Sequence, residues 1–336
     1  MRIDRVIVQG LRALEHRDDR LATDDRPWPA ACLRGLNGSG KTTWLEAIAQ
    51  IWIWFRRCMK RRAWVEPSSD LLGEAELVAV HFCGLPAPTD RPELRDLWIV
   101  WGRGAALADF IAAEQPFGLT LHLGQPTWDV PLLEWWDTAY SKAELGHGKM
   151  PNIVWIEAEN KWIPELKGEE LTRPAESRPF EAVPRYLPLA RGASHLEGIL
   201  STLKLVYEDR YAALQQWIAE LFPGLTLHDF EEATRRPRFR LTSTGTLLTV
   251  DRLSAGERSA LINLAMVLRW LGPGGIVLLD EPELHQHLSL MGGSIAVLEE
   301  VVTRGGGQLI VASHAPEVWH HFRGRGALIE LDGRAA

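Results

Sequence analysis

No long apolar run occurs in the sequence. A membrane span needs about 20 consecutive apolar residues, and the stretch from Ile51 to Phe55 is short and leads into a basic cluster. The opening residues, MRIDRVIVQG, lack the apolar core of a secretory leader. A cytoplasmic chain with no membrane partner is expected. Cysteine is scarce: Cys32, Cys58 and Cys83 are the three present, and no C-x-x-C pair exists. Buried free thiols are expected instead of a disulfide framework or a zinc knuckle. Internal repeats, low-complexity tracts and sustained heptads are missing, so no long coiled coil interrupts the chain. Excess positive charge is missing too. The net charge is −7 over 336 residues, and any DNA contact would have to use a local basic patch. Two patches exist, RRCMKRR at 56–62 and RRPRFR at 235–240. Most charge runs are solvated faces or complement a helix dipole, and both are read that way.

What is present suits a globular chain with a sizeable core, 46% hydrophobic and 24% charged. Residues 2–14 read as a strand with a turn at Gly10. A short strand at 30–34 precedes a glycine-rich loop, and a helix follows from Lys41 to about Arg62. Between 67 and 190 the texture changes to short strand-like runs, at 76–82, 96–102, 118–124 and 152–158. Twelve of the fifteen tryptophans lie between Trp28 and Trp162, which suggests core filling and a partner surface that includes Trp135 and Trp136. Four prolines in 172–188 suggest an exposed connector. A single helical stripe is expected from Leu196 to Leu221, closed by Pro223-Gly224. Strands near 238–250, an apolar helix at 257–271, strands at 276–279 and 308–313 around a helix at 288–303, and a strand at 327–331 complete the chain. Strands alternating with helices at both ends imply an α/β fold with a mostly parallel sheet. The expected division is 1–66 and 191–336 for two lobes of one head, with 67–190 as an antiparallel-β-rich insertion and a helical arm following it.

Chemistry concentrates in four short segments. GLNGSGKT, Gly35 to Thr42, fits G-x-x-x-x-G-K-[ST] and sits between a strand and a helix. Backbone amides of Gly35, Asn37, Gly38, Ser39 and Gly40, with Lys41, Thr42 and Thr43, would cradle phosphates at a helix N-terminus. Lys41 would reach the outer phosphates, and the Thr42 hydroxyl would ligate Mg²⁺. IVLLDE, Ile276 to Glu281, is an apolar strand with two carboxylates at its tip. There Asp280 would hold Mg²⁺ through water, and Glu281 would orient or deprotonate the attacking water. LSAGER, Leu253 to Arg258, begins the apolar helix. Ser254 and Gly256 offer an anion-binding helix start, and Ser254 with Glu257 also fits a capping box. SHAP, Ser313 to Pro316, follows the last core strand and brings His314 to the same edge as Glu281.

The order GLNGSGKT, LSAGER, VLLDEPELHQH, VASHAPEVW resembles the P-loop NTPase heads of ABC type, the class of RecF, the SMC proteins and the overcoming-lysogenisation-defect (OLD) family. DEPELHQHL and SHAP look most like the OLD and Septu-type ATPases of bacterial anti-phage systems, with Leu288, Ser313 and Ala315 departing from that pattern. The resemblance spans about 1–60 and 195–331. It implies ATP and Mg²⁺ as cofactors and a head-to-tail homodimer, with each site pairing one chain's phosphate loop with the other's LSAGER. His285 and His287 would then sit in the dimer-contact loop. Gln115 and Gln125 are both candidates for the class's Q-loop glutamine. OLD nucleases carry a Toprim domain after the ATPase, whereas only a short tail follows His314 here. The expectation is an ATPase alone, regulating a separate effector such as a nuclease or toxin. A RecF-like repair ATPase, with DNA as a partner, is the alternative, and a transporter ATPase is a weaker one.

Overall fold

The computed structural model describes residues 1–24, 26–115, 118–122, 125–126, 130–159, 179–188, 195–232, 236–324 and 327–331. The chain begins with β1 (Arg2–Leu11), β2 (Leu14–Arg20), a ribbon of β3 (Ala22–Thr23) and β4 (Arg26–Pro27), β5 (Ala30–Arg34) and α1 (Lys41–Arg61). There follow α2 (Asp70–Glu74), β6 (Leu77–Cys83), β7 (Leu97–Gly102), α3 (Gly104–Glu114), β8 (Gly118–His122), β9 (Gln125–Pro126), α4 (Val130–Glu144) and β10 (Ile153–Ile156). The second half holds α5 (Leu196–Val206), α6 (Glu208–Leu221), β11 (Leu225–Phe230), β12 (Pro237–Leu241), β13 (Leu247–Leu248) and α7 (Ala255–Trp270). It closes with β14 (Ile276–Asp280), α8 (Leu288–Arg304), β15 (Gln308–Ser313), α9 (Pro316–Arg323) and β16 (Leu328–Glu330).

Strands apolar at nearly every position need cover on both faces. β10, β14, β15, β5 and β16 form one parallel sheet in that order. Alternation divides it. Ile276, Leu278 and Ile310 pack on the α1 side, whereas Val277, Leu279, Leu309 and Val311 pack on the side of α5 to α9. A second sheet, ordered β2-β1-β6-β7-β8-β9, lies across α1 from the first. Its outer face is closed by Leu107 and Phe110 of α3. Helix α1 therefore lies between two sheets, which is why Trp44, Trp52, Trp54 and Phe55 are buried around it. β11, β12 and β13 make a small antiparallel sheet ahead of α7. Among the described residues no helix is long and apolar enough to cross a membrane.

Several expectations change. The segment 67–190 does not stand apart as a β-rich insertion: β6 and β7 extend the sheet started by β1, and β10 is an edge of the parallel sheet. It also contains α3 and α4, which short apolar runs did not reveal. The stripe from 196 to 221 breaks at Tyr207, whose backbone leaves helical geometry while its ring meets the guanidinium groups of Arg210 and Arg269. The two helices pack on α7 and are not an arm. Gly10 lies inside β1 at φ 63°, and the turn comes at Arg12–Ala13. In the proline-rich stretch, Phe180 and Tyr186 are buried, and Ala182 and Pro184 accept backbone hydrogen bonds from Ile153 and Trp155; residues 172–178 lie outside the described residues. Trp136 is buried against Phe55 and donates to the Pro86 carbonyl, so it cannot serve a partner surface; Trp135 is partly buried.

One polar side chain ties the two sheets together. Gln308 is fully buried at the start of β15. Its Oε1 accepts from the Ile3 amide at 2.7 Å, and its Nε2 donates to the carbonyls of Ile3 at 2.8 Å and Trp28 at 2.9 Å. Gln308→Leu keeps the volume and strands three backbone groups. An unmet buried hydrogen bond is costly, so a loss of about 3 kcal/mol is expected. The check is the urea midpoint at constant slope, and an unchanged midpoint would show that the sheets hold without this bridge.

Candidate active site

Parallel pairing levels three strand tips. Asp280 is paired with Ala312, and Ser313 with Arg34. The segments leaving these tips, 35–40, 281–287 and 314–315, therefore meet at one edge, where open α/β sheets bind ligands.

The loop after β5 is closely packed at its glycines. A Cβ at Gly35 would lie 2.5 Å from the Leu331 carbonyl oxygen and 2.6 Å from Ser39 Oγ. Gly40 has φ 94° and closes against Leu14, where a Cβ would come within 2.6 Å. Lys41 is buried, and its Nζ donates to the carbonyls of Gly35 and Leu36, both at 2.9 Å. That spans the loop with two of the ammonium's three donors. Among the described residues the buried Ser39 Oγ has no hydrogen-bond partner. A cradle that only glycine can line, at the N-terminus of a long helix, fits an anionic phosphate group.

Thr42 Oγ1 donates to Asp280 Oδ2 at 2.8 Å across 238 residues of sequence. Asp280 is 1% exposed. A hydroxyl bound to a carboxylate is an oxygen pair that suits Mg²⁺. The next residue, Glu281, takes a left-handed φ of 40°, uncommon for a residue with a side chain. Its amide is held by the Ala312 carbonyl at 2.9 Å, which keeps the bend in place.

His314 is fastened through a residue that the motif reading passed over. Glu283 Oε1 accepts from Ser313 Oγ at 2.6 Å and from the His314 amide at 2.9 Å. The imidazole Nδ1 is then 3.1 Å from Glu283 Oε1 and 3.6 Å from Glu281 Oε1. Cys32 in β5 carries a thiol that burial pushes up, with Glu283 adding to the shift, so it is not a nucleophile at this edge.

Asn37, Gly38, Gly40, Lys41, Thr42, Thr43 and Glu281 line one groove, with Arg12 and Ala13 from the β1–β2 turn on its rim. An adjoining cleft is lined by Thr42, Asp280 and Glu281 together with Glu46, Glu157 and Glu159. Arg12, Glu46 and Glu157 were not anticipated. Glu46 had a signal, since it lies four residues after Thr42 on the same helical face. Glu157 follows β10 as Glu281 follows β14, a relation visible only once Ile156 is paired with Leu279. Burial pushes the Glu46 carboxyl above its usual range; Arg12 opposes this and Glu157 adds to it. Gln115 caps α3 and does not line the groove, and the side chain of Gln125 lies outside the described residues.

Ser254, Gly256 and Glu257 do not line this groove in their own chain. They form a complete capping box: Ser254 Oγ accepts from the Glu257 amide at 3.2 Å, and Glu257 Oε2 accepts from the Ser254 amide at 2.7 Å. Gly256 allows close approach, because a Cβ there would sit 2.8 Å from the His285 carbonyl. Among the described residues, His285 and His287 gather no third metal ligand.

No protein-family profile and no curated protein matches the chain. Among solved structures it is similar to an SMC head bound to the C-winged helix domain of ScpA, at 17% identity over 96% of this chain and 92% of that one, with a TM-score of 0.49. It is similar also to the SMC head domain from Thermotoga maritima, at 14% identity over 96% and 92%, with a TM-score of 0.46. A third is an Smc head with an extended coiled coil bound to the C-terminal domain of ScpA derived from Pyrococcus furiosus, at 14% identity over 95% and 91%, with a TM-score of 0.46.

Glu283→Ala leaves the Ser313 hydroxyl and the His314 amide without their acceptor. A loss of about 1–3 kcal/mol is expected, by the usual cost of an unmet buried hydrogen bond. Amide exchange at 312–316 should rise above that of the rest of the sheet, whereas unchanged exchange there would remove Glu283 as the fastening.

Proposed function

We propose that this chain is an ABC-type ATPase that binds and hydrolyses Mg-ATP and closes as a homodimer around two nucleotides. The observation that carries the reading is the Thr42–Asp280 hydrogen bond beside the glycine cradle of Gly35 and Gly40, with Glu281 at the same groove. In this reading the amides of 37–41 and the Lys41 ammonium hold the phosphate chain. Thr42 and Asp280 hold Mg²⁺, which when bound offsets the phosphate charge. Glu281 accepts a proton from the attacking water, and His314 orients that water or contacts the outermost phosphate. Arg12, now paired with Glu46 and Glu74, stands at the rim as a further phosphate contact.

Closure by a second chain is supported by the position of LSAGER. Its capped helix start does not line the groove of its own chain, and its first-turn amides are the type of group that receives an anion. Control of a separate effector, such as a nuclease or toxin in anti-phage defence, rests on the likeness of DEPELHQHL and SHAP to that group. The basic patches lend little to a DNA-repair reading. Arg56 is paired with Asp137 and Glu144, Arg62 with Glu134, and Arg236 with Glu197 and Asp251.

Lys41→Ala should abolish tight ATP binding and leave the circular dichroism unchanged. Calorimetry reads the affinity, and wild-type affinity would remove the phosphate-loop assignment. Glu281→Gln should slow turnover by about 10²–10⁴, the usual worth of a general base, and hold the dimer closed in Mg-ATP. A Glu281→Gln protein that stays monomeric in saturating Mg-ATP would sink the closure mechanism. Co-purification followed by mass spectrometry tests the effector: a nuclease or toxin supports the reading, and a permease or a replication factor overturns it.

A further inference from the structure

Three potential metal ligands of different chemistry meet on the six-stranded sheet of β1 and β6, at a place the proposed nucleotide site does not use. His81 and Cys83 are two residues apart in β6, so their side chains leave the same face. Asp4 lies on that face too, beside an irregularity in β1. The pairing runs Ile3 with Phe82 and then Arg5 with His81, so Asp4 is an extra residue at a β-bulge. A regular register would set Asp4 against His81 and turn Arg5 to the inner face. The bulge lets both face outward, and such irregularities commonly re-aim a side chain. Arg5 is drawn aside by Asp18 at 2.8 Å and Glu114 at 2.7 Å, which keeps its charge occupied. What remains is Asp4 Oδ1 at 2.6 Å from His81 Nδ1, and Cys83 Sγ at 3.7 Å from the same nitrogen. All three ligand atoms lie within 4.8 Å of one another.

From this geometry we propose that Asp4, His81 and Cys83 form a binding site for a borderline divalent cation, Zn²⁺ in particular, with its remaining position open to solvent. Carboxylate, imidazole and thiolate together suit zinc better than Mg²⁺ or Ca²⁺, which prefer all-oxygen sets. The spacing is close to what zinc needs. Tetrahedral bonds of the usual lengths put sulfur about 3.5 Å from nitrogen, and nitrogen about 3.3 Å from oxygen. The sulfur–nitrogen pair is already near that separation, and the carboxylate has to withdraw from a hydrogen bond by about 0.7 Å, a side-chain rotation. The surroundings hold the ring: Trp98 packs on His81 with centroids 4.9 Å apart. Asp4 and His81 side chains are each 22% exposed, so a cation can enter and a water can stay. Without a cation, burial and then the Asp4 charge push the Cys83 thiol up, which keeps it protonated; a bound dication reverses that balance. The cation would staple β1 to β6 and so brace the sheet that faces α1.

The full-length protein, stripped with chelator and titrated with Co²⁺, gives the test. One equivalent should produce a thiolate-to-cobalt charge-transfer band in the near ultraviolet. The Thr42–Asp280 site holds only oxygen ligands and cannot give that band, so Lys41→Ala should keep it. Cys83→Ser should lose it, and His81→Ala should weaken binding at least tenfold. In the unaltered protein, Zn²⁺ should protect Cys83 from alkylation, while Cys32 and Cys58 are fully buried and do not compete. A titration without the band, a band that survives Cys83→Ser, or alkylation of Cys83 at the same rate with and without Zn²⁺ would overturn the proposal and leave an ordinary aspartate–histidine pair beside a thiol.

Discussion

Parallel pairing of β14, β15 and β5 is the constraint on which the rest depends. It aligns Asp280 with Ala312 and Ser313 with Arg34, so three chain segments leave the sheet at one level. The loop from Gly35, the bend at Glu281 and the turn at His314 then become neighbours, although they are distant in sequence. The Thr42–Asp280 hydrogen bond is a consequence of that alignment, and so is the Glu283 link to Ser313 and His314. A slip of one residue would reverse which side chains face α1 and which face α7, exchanging both cores at once.

The second constraint is the position of α1 between two sheets. A helix covered from both sides must be apolar nearly all round. Its three tryptophans meet that demand, and two also find partners for their polar edge: Trp44 Nε1 donates to Asp19 at 3.0 Å, and Trp54 Nε1 to the Val65 carbonyl at 2.7 Å. The tryptophan density of the first half therefore reflects a wide, shared core. Gln308 adds a polar clamp at its margin, binding β1 and the chain at Trp28 to the start of β15.

Charge is organised in the same economical way. The basic end of α1 lies beside α4, whose Glu134, Asp137 and Glu144 face Arg62, Arg56 and Lys60. A run that reads as a patch along the chain becomes a set of helix-to-helix pairs in space. At the sheet edge beside α1 the sign reverses. Glu46, Glu157, Glu159, Asp280 and Glu281 line one cleft, and Lys41 and Arg12 stand on the side of the glycine loop. That separation of charge suits a triphosphate with a cation between it and the carboxylates.

Much of the geometry at the edge was legible along the chain because it resides in contiguous segments. A glycine loop between a strand and a helix, an apolar strand ending in two carboxylates, and a serine–glutamate cap each carry their geometry locally, and β5, α1, β14 and β15 lie where periodicity put them. The remainder was decided in three dimensions. The segment 67–190 read as separate because strand pairing leaves no mark in sequence, yet β6 and β7 needed the edge of β1, and β10 needed the edge of β14. The break at Tyr207 has no proline or glycine to announce it and comes with two arginines from other turns. Glu157 entered the cleft through its neighbour's register, and Asp4 met His81 and Cys83 through the pairing of β1 with β6. The sequence determined which residue types and local turns were available; only the tertiary fold decided which distant ones would meet, because backbone pairing and shared burial act between segments that the chain itself keeps apart.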